Sequence, residues 1–222
     1  MDSLTIPKDP NKHNYGNWKT TKKATVFKKG LKKRTCKDCG HVDSKAIAKL
    51  KATLSLGVGK VKVSKTTVPM KMGQTFKKIT ATMKNGDSLK EAKSANKKIV
   101  TVKISKNKLV LKAGKKAGKA KITVKTKAGA TSTFTIRVQK GKVTATSIKG
   151  FKKTLTLKKG KTYQMPKDVV PVTVTDKITF KSSKPKVVSV TKGGKLKALK
   201  KGKSVITVTV GKKKFKCTVI VK

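Results

Sequence analysis

The sequence predicts an all-β fold, and three observations carry that prediction. Apolar and polar residues alternate at a period of two in several stretches. Runs of five to seven such residues are punctuated by Gly, Asn, Asp and Lys-Pro turns, and one long segment recurs further along the chain. A period of two puts successive side chains on opposite faces of a strand. Short strands spaced by turn residues point to antiparallel sandwiches. No stretch carries the apolar stripe of an amphipathic helix of any length.

Taken in order, residues 1–51 stand apart from the rest. They hold both histidines, the only tryptophan and two of the three cysteines, and read as a small β-hairpin module. Residues 52–140 and 141–222 then read as two copies of one unit. "SANKKIVTV" (94–102) lines up with "SSKPKVVSV" (182–190). Upstream, "VPMKMGQTF" (68–76) matches "LTLKKGKTY" (155–163), which sets Gly73 over Gly160 and Phe76 over Tyr163. Downstream, "GKAKITV" (118–124) matches "GKSVITV" (202–208), and "FTIRV" (134–138) and "CTVIV" (217–221) close each copy. Units of this length can each bury a small core, unlike the shorter repeats of a solenoid.

Within the second copy the alternation assigns faces. Ile206, Val208 and Val210 oppose Val205, Thr207 and Thr209; Phe215, Cys217, Val219 and Val221 oppose Lys214, Lys216, Thr218 and Ile220. Cys217 stands where the first copy has Phe134, so it reads as a buried hydrophobe. "KNGD" (84–87) and "KGGK" (192–195) are tight turns, the second a hairpin.

Charge dominates the composition. Sixty Lys and Arg face eight Asp and Glu, a net charge of +52, and only Arg34 and Arg137 are arginine. Such a surface attracts polyanions of any kind. Lysine is a hydrated point charge, whereas arginine forks onto phosphates and guanine edges. A nearly pure lysine surface therefore predicts non-specific attraction, and no sequence-specific nucleic-acid recognition. Aromatic stacking platforms are absent too. Three readings of the lysines stand: the solvated faces and guarded edges of the sheets, a surface for anionic cell-wall polymers or acidic glycans, or non-specific nucleic-acid binding through phosphate charge alone. The densest clusters are Lys112, Lys115, Lys116 and Lys119, and Lys197, Lys200, Lys201 and Lys203.

The segment "ITFKSSKPKVVSVTKGGKLKALKKGKSVITVTV" resembles the bacterial Ig-like group 2 (Big2) domain. The residues that carry the resemblance are Ser182, Ser183, Val187, Val188, Val190, Gly194, Leu196, Ala198, Gly202, Ile206 and Val208, with Phe180 where that family has a Trp. The first copy is looser, with Ala95 in place of the second Ser. The resemblance implies two tandem Ig-like antiparallel β-sandwiches. It further implies a non-catalytic extracellular module of a bacterial surface or secreted protein: an adhesin stalk, a spacer or a carbohydrate-proximal domain within a longer multidomain chain.

The N-terminal module resembles a short repeat of Gram-positive surface proteins through His13, Trp18, Ala24, Thr25, Arg34, Thr35, Cys36, Cys39, Gly40, Ile47 and Leu50. It departs at Val26, where that pattern has a Cys, and no His follows Leu50. Cys-x-x-Cys-Gly supplies two thiolates at metal-compatible spacing, but a structural zinc takes four ligands. Cys36, Cys39, His13 and His41 are the candidates, and His41 lies so near Cys39 in sequence that a tetrahedron is awkward to complete. A degenerate site, a Cys36–Cys39 disulfide or two free thiols are favoured over a working zinc centre, so no cofactor is expected. A thioredoxin-like role would need a βαβ context that is missing.

No enzyme motif competes. The eight carboxylates show no acid–base or calcium-loop spacing. "KKGKT" and "KGKS" lack the earlier glycine and following helix of a phosphate loop. "MDSLTIPKDP" lacks the charged and apolar regions of a leader, and no apolar run reaches membrane-spanning length.

Overall fold

The computed structural model describes residues 13–222, and all their regular structure is β, as expected. The reading of residues 1–10 as lacking a leader lies outside the described residues. Among those described, no helix is long and apolar enough to cross a membrane. The chain divides into two compact units. One runs to Leu54 and takes in Met83–Ser88 and Thr126–Ala130; the other comprises Ser55–Thr82, Leu89–Lys125 and Thr131–Lys222.

The first unit holds strands β1 (Lys19–Lys22), β2 (Gly30–Thr35) and β3 (Val42–Ile47) in one antiparallel sheet, ordered β1-β2-β3. The expected hairpin is β2–β3, with Thr35 opposite Val42, and β1 adds a third strand. Between β1 and β2 the Thr25 hydroxyl accepts bonds from the Phe27 and Lys28 N–H groups, curling the loop so that Val26 is buried. Gly30 opens β2 because a Cβ there would lie 2.6 Å from both Ala24 N and Lys22 O.

Strands β4 (Leu54–Val58), β5 (Val61–Lys62), β6 (Thr67–Lys71), β7 (Thr75–Met83), β8 (Leu89–Ser94), β9 (Val100–Ser105), β10 (Lys108–Ala113), β11 (Gly118–Thr126) and β12 (Thr131–Gln139) follow. They form two sheets, β5-β4-β7-β10-β9 and β6-β12-β11-β8. After them come β13 (Ser147–Ile148), β14 (Thr154–Leu157), β15 (Thr162–Gln164), β16 (Val169–Val170), β17 (Ile178–Ser182), β18 (Val188–Val190), β19 (Lys195–Ala198), β20 (Gly202–Val210) and β21 (Lys213–Val221). Their sheets are β14-β21-β20-β17, β15-β19-β18 and the pair β13-β16.

The two strand sets share one wiring. In each, the last strand pairs antiparallel with its predecessor and parallel with an early strand: β12 with β11 and β6, β21 with β20 and β14. Single hydrogen bonds correspond as well. Ala95 N donates to Lys121 O at 2.9 Å, as Ser183 N does to Val205 O at 2.9 Å. Ala113 N donates to Gln74 O at 2.9 Å, as Ala198 N does to Lys161 O at 3.0 Å. Phe76 lies opposite Leu111, as Tyr163 lies opposite Leu196.

Burial follows the alternation. Ile206, Val208, Val210, Cys217, Val219 and Val221 are all buried in one core, and Phe134 is buried opposite Ile122 as Cys217 is opposite Ile206. "KGGK" turns the β18–β19 hairpin. "KNGD" is a turn through Asn85 (φ 60°) and Gly86 (φ 79°), but it leads from β7 in one sheet to β8 in the other.

Candidate metal-ligand cluster and lysine-bearing faces

The turn between β2 and β3 is a knuckle. Cys36 N donates to His41 O at 2.8 Å, and Gly40 N returns to Cys36 O at 3.1 Å. Gly40 sits at φ +74°, the left-handed region where a side chain is disfavoured. The segment before β1 is pinned alongside: Lys37 N donates to Asn14 O at 2.9 Å, Gly16 N to Thr35 O at 3.0 Å, and Tyr15 forms a bridge with Cys36. That pinning delivers His13 to the knuckle, with its Nδ1 3.3 Å from Cys39 Sγ. His13, Cys36 and Cys39 thus offer three ligand atoms, all within 4.8 Å of one another. Cys36 is buried, His13 half-buried and Cys39 exposed, and both cysteines are free thiols.

His41 lies outside this group of three. Its ring stacks on that of His13, with centroids 4.7 Å apart and planes 13° from parallel. Beneath, Arg34 donates from Nε (2.9 Å) and from its terminal nitrogen (2.8 Å) to Asp43 Oδ2. The guanidinium covers the rings of Tyr15 at 4.1 Å and Trp18 at 4.7 Å, and Lys32 Nζ lies 5.0 Å from the Trp18 ring. Tyr15 and Trp18 are therefore engaged by the module's own cations.

Burial pushes the Cys36 thiol up, but other groups outweigh it. The N–H groups of Asp38 and Cys39, then the side chains of His13 and Cys39, stabilise the thiolate, and the thiol is lowered to about 6. Cys217, by contrast, is raised by burial in the sandwich core.

The eight lysines singled out in the sequence are all exposed. Lys112 and Lys119 lie on β10 and β11 and flank the turn holding Lys115 and Lys116. Lys197 and Lys203 lie on β19 and β20 and flank the turn holding Lys200 and Lys201. The two clusters thus occupy corresponding connections. None of the eight pairs with a carboxylate among the described residues, where the ion pairs are Arg34–Asp43, Lys93–Glu91 and Lys142–Asp176. Along β11, Lys119, Lys121 and Lys125 face water while Ala120, Ile122 and Val124 are buried.

A polar network in the second strand set was not visible as such in the sequence. Ser182 Oγ donates to Val188 O at 2.6 Å and lies 2.9 Å from Ser204 Oγ. Ser204 also accepts from Lys184 N at 3.1 Å, and Ser183 Oγ accepts from Val205 N at 2.8 Å. The Ser-Ser signature is thereby a tie between β17, β18 and β20. The aligned first-copy positions of Ser182, Ser183 and Ser204 are Ser94, Ala95 and Ala120, so the first copy keeps the first hydroxyl and lacks the other two.

Residues 142–221 match the family model of the bacterial Ig-like domain (group 2), a non-catalytic module. No curated protein matches the chain. Among solved structures, a bacterial Ig-like domain-containing GH10 xylanase from termite gut is 28% identical over 31% of this chain, with a TM-score of 0.28. The chain spans 18% of that xylanase's length. The S-layer protein rSbsC(31-844) is 16% identical over 96% of this chain and 36% of its own, with a TM-score of 0.33. Domains 4 and 5 of SbsC are 18% identical over 78% of this chain and 99% of their own, with a TM-score of 0.34.

Proposed function

We propose that this chain is a non-catalytic, extracellular structural module of a bacterial surface protein, held to anionic wall polymers or acidic glycans by the summed field of its lysines. In this reading residues 52–140 are a second, diverged copy of the Ig-like domain matched at 142–221, and residues 1–51 are an appended knuckle module. The observation that carries the proposal is the division of strands such as β11 and β19. Aliphatic side chains are buried there while lysines face water, and the lysines of the corresponding β10–β11 and β19–β20 connections have no carboxylate partner among the described residues.

A field of this kind binds without a pocket, so no single lysine is decisive. The test is binding to a panel of teichoic acid, a sulfated glycan, duplex DNA and a neutral glycan. Comparable binding to every polyanion and none to the neutral glycan supports the reading. Binding to none makes the chain a plain spacer. Duplex DNA outcompeting the rest at physiological salt makes it a nucleic-acid-binding protein.

A further inference from the structure

We propose that His13, Cys36 and Cys39 form a zinc site with three protein ligands and water in the fourth position. Tetrahedral zinc, with Zn–S near 2.3 Å and Zn–N near 2.0 Å, sets its ligand atoms roughly 3.5–3.8 Å apart. Nδ1 of His13 already stands 3.3 Å from Cys39 Sγ, and the whole trio lies within 4.8 Å. Closing around the ion therefore takes shifts of about an ångström or less. The backbone is set for this: the Cys36–His41 and Gly40–Cys36 hydrogen bonds turn the chain so that Cys36 and Cys39 sit side by side.

The donor set selects the ion. Two thiolates and an imidazole suit a borderline-soft metal, whereas magnesium and calcium take oxygen ligands, and no carboxylate belongs to the trio. His41 does not complete the tetrahedron, because its ring is laid flat against that of His13. It acts instead as a wall on one side of the ligand ring. The exposed Cys39 leaves the remaining side open to water. This site is independent of the polymer reading, and Cys39→Ser leaves polymer binding unchanged.

The test is cobalt(II) titration of the full chain under reducing conditions, followed by zinc competition. One cobalt per chain is expected, with a thiolate-to-metal charge-transfer absorption that zinc abolishes. Cys39→Ser and His13→Gln each weaken binding by about tenfold or more. Cys217→Ser leaves it unchanged, and His41→Gln weakens it less than His13→Gln does. Emission from Trp18, the only tryptophan, reports whether each variant keeps the module folded, which separates loss of a ligand from loss of structure. The proposal is overturned by absence of the charge-transfer band in the reduced chain, by a band that survives Cys39→Ser, or by His41→Gln matching His13→Gln. A Cys36–Cys39 disulfide that persists in reductant and excludes cobalt overturns it as well.

Discussion

The Phe180 ring closes over the α carbon of Gly194. A Cβ at 194 would sit 2.6 Å from Phe180 Cζ and 2.9 Å from both Cε atoms, and the backbone there is at φ +76°. Strand β17 thus presses its aromatic residue onto the tip of the β18–β19 hairpin. Gly194→Ala is expected to cost about 1–3 kcal/mol, from left-handed strain plus displacement of the ring. Urea denaturation measures it, and in a Phe180→Leu background the cost should shrink toward the backbone term alone. An equal cost in both backgrounds would mean that the ring contact contributes nothing.

The serine tie should show a similar dependence on context. Ser204→Ala removes the acceptor of Lys184 N and a partner of the buried Ser182 hydroxyl. Leaving such groups unsatisfied costs about 1–3 kcal/mol. The converse change, Ala120→Ser at the position aligned with Ser204, meets Ser94, the retained counterpart of Ser182, and is expected to cost less than Ser204→Ala. Chemical denaturation of both variants checks the pair; an Ala120→Ser that costs as much as Ser204→Ala would contradict the account.

Asp87 gives a pH dependence. Burial alone would raise its carboxyl, but the Thr126 hydroxyl and the N–H groups of Ala128 and Ser88 outweigh that and hold it below the ordinary carboxylate range. Ser88 N lies 2.8 Å and Ala128 N 3.1 Å from Oδ1. A depressed folded-state value means stability present above the unfolded value of about 4 and lost as pH falls through the folded value. The melting temperature of the wild type should therefore exceed that of Asp87→Asn near neutrality, with the gap closing in acid. A gap that widens in acid would reverse the sign of this argument.

The lysine field should itself oppose folding. Self-repulsion at +52 raises the energy of the compact state. Added salt or a polyphosphate is expected to raise the melting temperature, the polyphosphate at far lower concentration because it binds the folded chain. A melting temperature insensitive to both would show that the charges are already well separated.

Much of the sandwich wiring was legible because its signals are local. The alternation in "SVITVTV" and "KFKCTVIVK" gives the buried faces directly, and matched turns give the repeat. The sequence pattern is less clear where backbone irregularity breaks the period. Between Phe76 and Ile79 two lysines, Lys77 and Lys78, stand together facing water, because β7 carries a bulge opposite the Leu109–Leu111 step. "KNGD" has good hairpin chemistry, yet its strands enter different sheets, a choice made by packing rather than by the turn. In the knuckle, Cys-x-x-Cys-Gly announced the two thiols, but the approach of His13 depends on the backbone bonds of residues 14–16 to 35–37. Those bonds leave no residue-type pattern. The stacking of His41 on His13 is likewise a product of that pairing rather than of spacing.

The most direct test of the central claim is the salt dependence of teichoic-acid binding, measured for the wild type and for a variant with the eight clustered lysines changed to glutamine. That variant carries 52 − 8 = +44. Binding through released counterions gives log K falling linearly with log salt, in proportion to the number of charges engaged. The account predicts a steep fall for the wild type and a shallower one for the variant. Wild-type binding that is insensitive to salt, or an unchanged slope in the variant, would contradict it.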